Sequence, residues 1–249
     1  MTAEAISLGG ARRLTNKMKK LAVIFFFGAL VLGVIGSQLF SFGRILDFGN
    51  FKVNFRGLKG SGNVVRERRD LSGFDEIEVG GAFLVEVTVG ESFSVEVEGD
   101  DNLVPLIKTE VRGDALHVSI DKSYRSKDYL KVYVSAPNLS GVDTSGAAQV
   151  NASGIKSKAF NIGASGGSKV TATGQTTDLR VETSGGARVL ANELAATNGT
   201  VDTSGGATAE VFVTGEFKAQ ASGGSRIMYS GTPANVTKNS SGGARITQK

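Results

Sequence analysis

The chain has 249 residues, with 28 Lys and Arg against 24 Asp and Glu and a formal net charge of +4. It has no cysteine and one histidine, His117, which excludes disulfides, thiolate metal sites, thiol nucleophiles, a lipid-modified cysteine and any multi-histidine metal centre. Charge is segregated: residues 1–20 carry five basic residues against one acidic, residues 41–69 seven against two, and residues 70–249 sixteen against twenty-one, a balance unsuited to nucleic acid.

Residues 1–20 are polar and cationic, through Arg12, Arg13, Lys17, Lys19 and Lys20, and no fold is read there. Leu21 to Phe42 is nearly free of polar side chains, and its twenty-two residues at about 1.5 Å each span a hydrocarbon core of about 30 Å. Up to the Ser37-Gln38 interruption the run is sixteen residues, close to a signal-peptide core, and Met18-Lys-Lys is a start for such a signal. A membrane anchor and a cleaved signal stand as alternatives; a buried core helix has no place in the β-rich chain that follows. Either way, Lys and Arg ahead of the run hold that end in the cytoplasm, so residues 43–249 are expected across the membrane, in the periplasm or at the cell surface. Residues 43–63 mix glycine with Phe48, Phe51, Phe55 and basic residues, end in Gly60-Ser-Gly62, and read as a weakly ordered linker.

From Val64 the pattern has period two. Phe74 to Val79, Phe83 to Val89 and Phe93 to Glu98 alternate apolar with acidic or hydroxyl residues, and each is bounded by glycine. Asn102 to Ile107 reads as one helical turn before a strand at Thr109 to Val111, and Ala115 to Ile120 and Tyr129 to Val134 continue the series. His117 alternates with Leu116 and Val118, which puts it on the polar face as a solvated strand histidine.

From Asp143 to Ile246 one phrase recurs six times. Its first copy is Asp143-Thr-Ser-Gly-Ala-Ala-Gln-Val150, and Glu182-Thr-Ser-Gly-Gly-Ala-Arg-Val189 is typical. The serines Ser145, Ser165, Ser184, Ser204, Ser222 and Ser241 are 20, 19, 20, 18 and 19 residues apart. A fixed period near 20 predicts a solenoid, in which each unit buries its apolar face only against its neighbours. Each unit supplies a short apolar strand after the phrase, such as Val170-Thr-Ala172, and another before the next, such as Leu179-Arg-Val181. The glycines Gly146, Gly166, Gly185, Gly205, Gly223 and Gly242 are expected at stacked corners, where φ > 0 and close backbone approach exclude a Cβ. The fourth copy, Ala207 to Val213, is expected to run about two residues longer before its turn and to bulge. The fold class is therefore all-β: a parallel β-solenoid over residues 64–249, preceded by glycine-bounded strands and one N-terminal hydrophobic helix.

Four blocks together resemble the bacterial autotransporter-adhesin head domain family, also called the head GIN domain. They are Arg69-Asp-Leu-Ser-Gly-Phe-Asp-Glu-Ile-Glu-Val-Gly-Gly-Ala-Phe83, Asp101 to Glu110, Leu130 to Leu139, and the Ser-Gly array, so the similarity runs from about Val65 to Ile246. The resemblance implies a right-handed β-helix in the bacterial cell envelope and carries over no catalytic residue and no cofactor. Repeats of the family often read Ser-Gly-Ala-Gly-Asp, whereas here Lys169, Arg188, Arg226 and Arg245 take the acidic place, which counts against an acidic or calcium-binding ladder.

Glycine motifs with a known mechanism do not fit. Gly163-Ala-Ser-Gly-Gly-Ser-Lys169 has the wrong spacing for a phosphate loop, and no long helix follows it. The sharpest polar pattern places Asp143, Glu182 and Asp202 two residues before the repeat serine and Lys169, Arg188, Arg226 and Arg245 four residues after it. As function, this is a repetitive face that binds an extended ligand such as a glycan, or an envelope protein, through many weak contacts. As structure, it is cross-rung charge pairing and serine hydrogen bonding that keep the solenoid aligned. A polysaccharide-cleaving enzyme would instead hold carboxylates such as Asp143 and Asp202 roughly 5–10 Å apart across a groove. With no catalytic constellation, metal set or cofactor motif, the expectation is a non-enzymatic envelope protein whose head presents a surface for adhesion, the alternative being a membrane-anchored structural or sensory module.

Overall fold

Glycine sets the corners and valine fills the space between them. The computed structural model describes residues 57–249; the cationic segment, the apolar run at 21–42 with its expected helix, and the linker up to residue 56 lie outside the described residues. The front section holds β1 (Leu58–Lys59), β2 (Val64–Arg69), β3 (Glu76–Gly81), β4 (Phe83–Val89), β5 (Ser94–Asp100), β6 (Ile107–Arg112), β7 (Ala115–Ile120), β8 (Tyr124–Arg125) and β9 (Leu130–Ala136). The repeats hold β10 (Gly141–Gly146), β11 (Gln149–Ala164), β12 (Lys169–Thr183), β13 (Arg188–Thr203), β14 (Thr208–Val213), β15 (Glu216–Ala221), β16 (Arg226–Ser230), β17 (Asn235–Ser240) and β18 (Arg245–Gln248). One 3₁₀ turn, Val104–Leu106, falls where the sequence predicts a helical turn.

The repeats form a parallel β-solenoid. Each rung runs along one face, turns at the Ser-Gly corner and returns along a second face. Register is kept from rung to rung: on the first face Ile77, Val142, Ile162, Val181, Val201 and Ala219 stack in one column. On the second face Val85, Val150, Val170, Val189, Ala209 and Ile227 stack likewise, and nearly every member of both columns is fully buried. Each such side chain larger than alanine contributes about 1.5–3 kcal/mol of burial, and each rung obtains it only from its neighbours. The six corner glycines have φ between 70° and 77°. A Cβ on Gly205 would stand 2.9 Å from the carbonyl oxygen of Gly185 one rung back, and the same contact recurs down the column. The following glycine closes the corner by donating to that carbonyl, as Gly206 N does to Gly185 O at 2.7 Å.

The front section extends both faces and then changes their character. β3 pairs in parallel with β10, aligning Glu78 with Asp143 and Gly81 with Gly146, so β3 and β4 form a further rung with a degenerate phrase, Glu78-Val-Gly-Gly81. Beyond it the first face closes with the antiparallel pair β7–β6, and the second face continues through β9 to the antiparallel strands β5 and β2. At the other end Lys238 occupies the inward column after Ala219 and lies 4.5 Å from the Tyr229 ring centroid. An inward cation on an edge strand discourages another strand from stacking there.

Two expectations are corrected. The end of the segment read as a linker belongs to the head: β1 pairs with β8, Gly62 N donates to Asp100 Oδ1 at 2.7 Å, and Ser61 Oγ and Asn63 Nδ2 donate to Asp101. Buried Asp100 and its acidic neighbour supply acceptors that composition alone did not reveal. The bulge falls on the rung before the fourth copy, where Ala191 and Ala195 of β13 face the consecutive residues Val211 and Phe212 of β14. The fourth rung is thus the short one, since the extra residues 192–194 bring Leu194 into the core on the longer strand.

Candidate binding face

The stacking turns the repeated phrase into two charged columns. On the first face Glu78, Asp143, Gly163, Glu182, Asp202, Gln220 and Asn239 stand in register on successive rungs. On the second face the order is Leu84, Gln149, Lys169, Arg188, Thr208, Arg226 and Arg245. The corner separates them, and among the described residues no ion pair joins one column to the other. The cross-rung pairing that would make the pattern purely structural is absent from this geometry.

Along the first face the acidic column and the serines line a groove of about 510 Å³ that runs from Asp143 to Asn239. Its carboxylates, Asp143, Glu182 and Asp202, all belong to the one column; the rest of its lining is glycine, alanine, hydroxyl and amide residues. Of the six repeat serine hydroxyls, only that of Ser165 has a hydrogen bond among the described residues, donating to Thr144 O at 3.3 Å. Gly163 leaves a gap in the column that Asp143 uses: a Cβ there would come within 2.2 Å of Asp143 Oδ2. Burial, then Glu78 and then Glu182, push the Asp143 carboxyl above its ordinary range. Glu76, on the same strand as Glu78, is raised in the same way, first by burial and then by Glu78 and Asp143.

Sequence reasoning missed Glu78 as a column member because its phrase lacks the serine; the Gly80-Gly81 pair that follows was the available signal. His117 lies on the polar face beside it, with Nδ1 2.8 Å from Glu78 Oε2. Asp143 and Asp202 are three rungs apart, roughly 14 Å at the usual strand spacing, too far to act as a hydrolytic pair. Among the described residues no group of three or more His, Asp or Glu is arranged to hold a metal ion, and no helix is long and apolar enough to cross a membrane.

The family described as "Putative auto-transporter adhesin, head GIN domain" matches residues 73–233. The chain belongs to this head GIN family. The match starts just ahead of β3 and ends before β17, so it takes in the front section from β3 on and all but the last rung. Among solved structures, a "putative adhesin" from Bacteroides fragilis NCTC 9343 is 20% identical and superposes with a TM-score of 0.63, covering 78% of this chain and 100% of its own. A "putative adhesin" from Parabacteroides merdae ATCC 43184 is 17% identical, with coverages of 77% and 98% and a TM-score of 0.47. A "putative lipid binding protein" from Parabacteroides distasonis ATCC 8503 is 18% identical, with coverages of 77% and 99% and a TM-score of 0.48. The Bacteroides likeness shows a shared fold. No curated protein matches the sequence.

Proposed function

We propose that this GIN-family protein is a bacterial cell-envelope protein whose solenoid head works by binding rather than by catalysis. Residues 21–42 tether or export it, so that the head stands outside the cytoplasm. The observation that carries the reading is the groove of the first face, where carboxylates and free serine hydroxyls repeat at strand spacing over successive rungs. A surface of equal, translated contacts suits an extended ligand, whose affinity accumulates over many weak interactions. It does not suit a reaction at one bond, which needs two differently tuned groups facing each other. Family membership supports an adhesive role for the head.

The test uses the full-length chain carrying a C-terminal tag, expressed in cells. Protease applied to intact cells and to cells with an opened outer barrier locates the head. Binding of the purified chain to a panel of glycans and envelope fractions then looks for a ligand. Saturable binding by a head that is digested either in intact cells or once the outer barrier is opened is expected. Protection even in spheroplasts, or failure to bind anything across the panel, would overturn the proposal.

A further inference from the structure

The cationic column of the second face is a run of like charges held in register. Lys169 stacks directly on Arg188, and Arg226 directly on Arg245, with only Thr208 between the two pairs. Like charges directly opposite on neighbouring strands destabilise a sheet. The fold offers them no relief, since among the described residues none of the four has a carboxylate within 4.0 Å. Cations on the first face are treated differently: Arg180 is paired with Glu182 and Lys218 with Glu216 on their own strands. The two carboxylates in the next outward column of the second face are already engaged, Glu86 by Asn151 and Glu210 by Lys249. Arg188, Arg226 and Arg245 are exposed and Lys169 is half-buried.

The corner beside the column adds donors. The amide nitrogens of Gly166, Gly185, Gly205, Gly223 and Gly242 find no backbone acceptor among the described residues, and the glycines themselves are exposed. A row of unpaired N–H groups next to a row of unpaired cations is an anion-binding strip one strand spacing per step.

We propose that this strip binds a linear acidic polysaccharide laid along the solenoid axis, one sugar to a rung. The inference rests on the reading of the head as a binding module and goes beyond it, adding a second site on the face across the corner from the acidic groove. An extended pyranose unit spans about one rung, so carboxylate or sulfate groups along the chain meet the cations in step. Width is limited by the acidic column across the corner, which repels a second strand of negative charge. A duplex nucleic acid cannot avoid that column; a single polysaccharide chain can.

The experiment titrates the full-length chain in neutral detergent with polygalacturonate and heparin, with dextran and a DNA duplex as contrasts, at low and at physiological salt. Both acidic polymers are expected to bind, more weakly as salt rises. Arg188→Gln with Arg226→Gln should weaken binding by about tenfold or more, as expected when two of several repeated charge contacts are lost. The same double variant should melt at an unchanged or higher temperature, because it relieves repulsion; a merely structural role predicts a lower one. Arg180→Gln with Lys218→Gln, which removes the paired cations of the first face, should leave polygalacturonate binding intact. The basic stretch ahead of the head is present in every variant and cancels. Binding that survives the arginine changes, or dextran or duplex DNA binding as tightly as polygalacturonate, overturns the proposal. Should the arginine double variant bind polygalacturonate as tightly as the parent while both still bind an envelope fraction, the strip is ruled out while the binding-module reading stands.

Discussion

The front section and the repeats handle charge in opposite ways. In front, Glu98 sits between Arg66 at 2.7 Å and Lys131 at 3.0 Å, and those hydrogen bonds, Arg66 first, hold its carboxyl below the ordinary range. In the repeats, Asp143 is pushed the other way by burial and by acidic neighbours. The front is thus specified by particular partners: Asp100 fixes Gly62 and Ser126, Tyr124 donates to Ala82 O at 2.6 Å, and antiparallel strands close both faces. The repeats are specified by backbone geometry, and the outward cations Lys169, Arg188, Arg226 and Arg245 have no carboxylate partner among the described residues. Where side chains do not hold the fold, they are available for a ligand.

If backbone geometry carries the repeats, the corner glycine is their most sensitive point. Gly205→Val forces a β-branched residue to φ 70° and sets its Cβ against Gly185 O. Strain of this kind costs about 1–3 kcal/mol before the clash is counted, so a loss above about 3 kcal/mol is expected in chemical denaturation. Gly206→Ala, one residue on, has only an ordinary contact at 3.6 Å, and Ala147 already stands at that place in the first copy. It should change stability by less than about 1 kcal/mol. Equal losses at the two positions would contradict the stacked-corner account.

The charge contrast is sharpened by a pair of isosteres measured against pH. Glu98 has a folded-state pKa below its unfolded value, so its stabilisation is present above the ordinary carboxylate range and is lost as pH falls through the lowered value. Glu98→Gln should therefore cost about 1 kcal/mol at pH 7, with the difference from the parent shrinking only in strong acid. Asp143 has the reverse sign. Its raised pKa means the fold is favoured below the unfolded value and loses that advantage as pH rises through the folded one. Asp143→Asn should raise stability at pH 7 by under about 1 kcal/mol and give no gain below about pH 4. Denaturant midpoints that move in the same direction for both variants at pH 7 would erase the contrast.

The repeats were legible in sequence because one conformational demand recurs. A φ near 70° selects glycine at Gly166, Gly185, Gly205, Gly223 and Gly242, and the period of that residue displays the rung. The charged columns follow from the same period, since a fixed offset from the corner becomes a fixed place on a face. What the period could not show was that the two columns never pair among the described residues. The front was legible strand by strand, with Phe83–Val89 and Ala115–Ile120 bounded as read, but its antiparallel closures were not. They depend on Asp100, Asp101 and Glu98 finding partners about 30–40 residues away, and period-two alternation carries no record of such a partner.

A finer difference lies inside the repeats themselves. Buried Thr144 meets Ser168 at 3.0 Å, and buried Thr203 meets Ser225 at 3.0 Å, each hydroxyl satisfying the other across the rung. At the equivalent places Ala164 goes with Ala187 and Ala221 with Ala244, and no hydroxyl needs a partner. Thr183 breaks the rule, because the position that should supply its serine is Ala207, and its Oγ1 is buried without a hydrogen bond. An unmet buried hydroxyl costs about 1–3 kcal/mol relative to a satisfied one, so two opposite repairs are available. Thr183→Val keeps the shape and removes the polar atom, while Ala207→Ser supplies the partner. Each should raise stability by about 0.5–1 kcal/mol. Combined they should gain nothing further, since the serine then faces a methyl group and becomes the orphan itself. A double variant whose gain equals the sum of the single ones would show that the two positions do not meet.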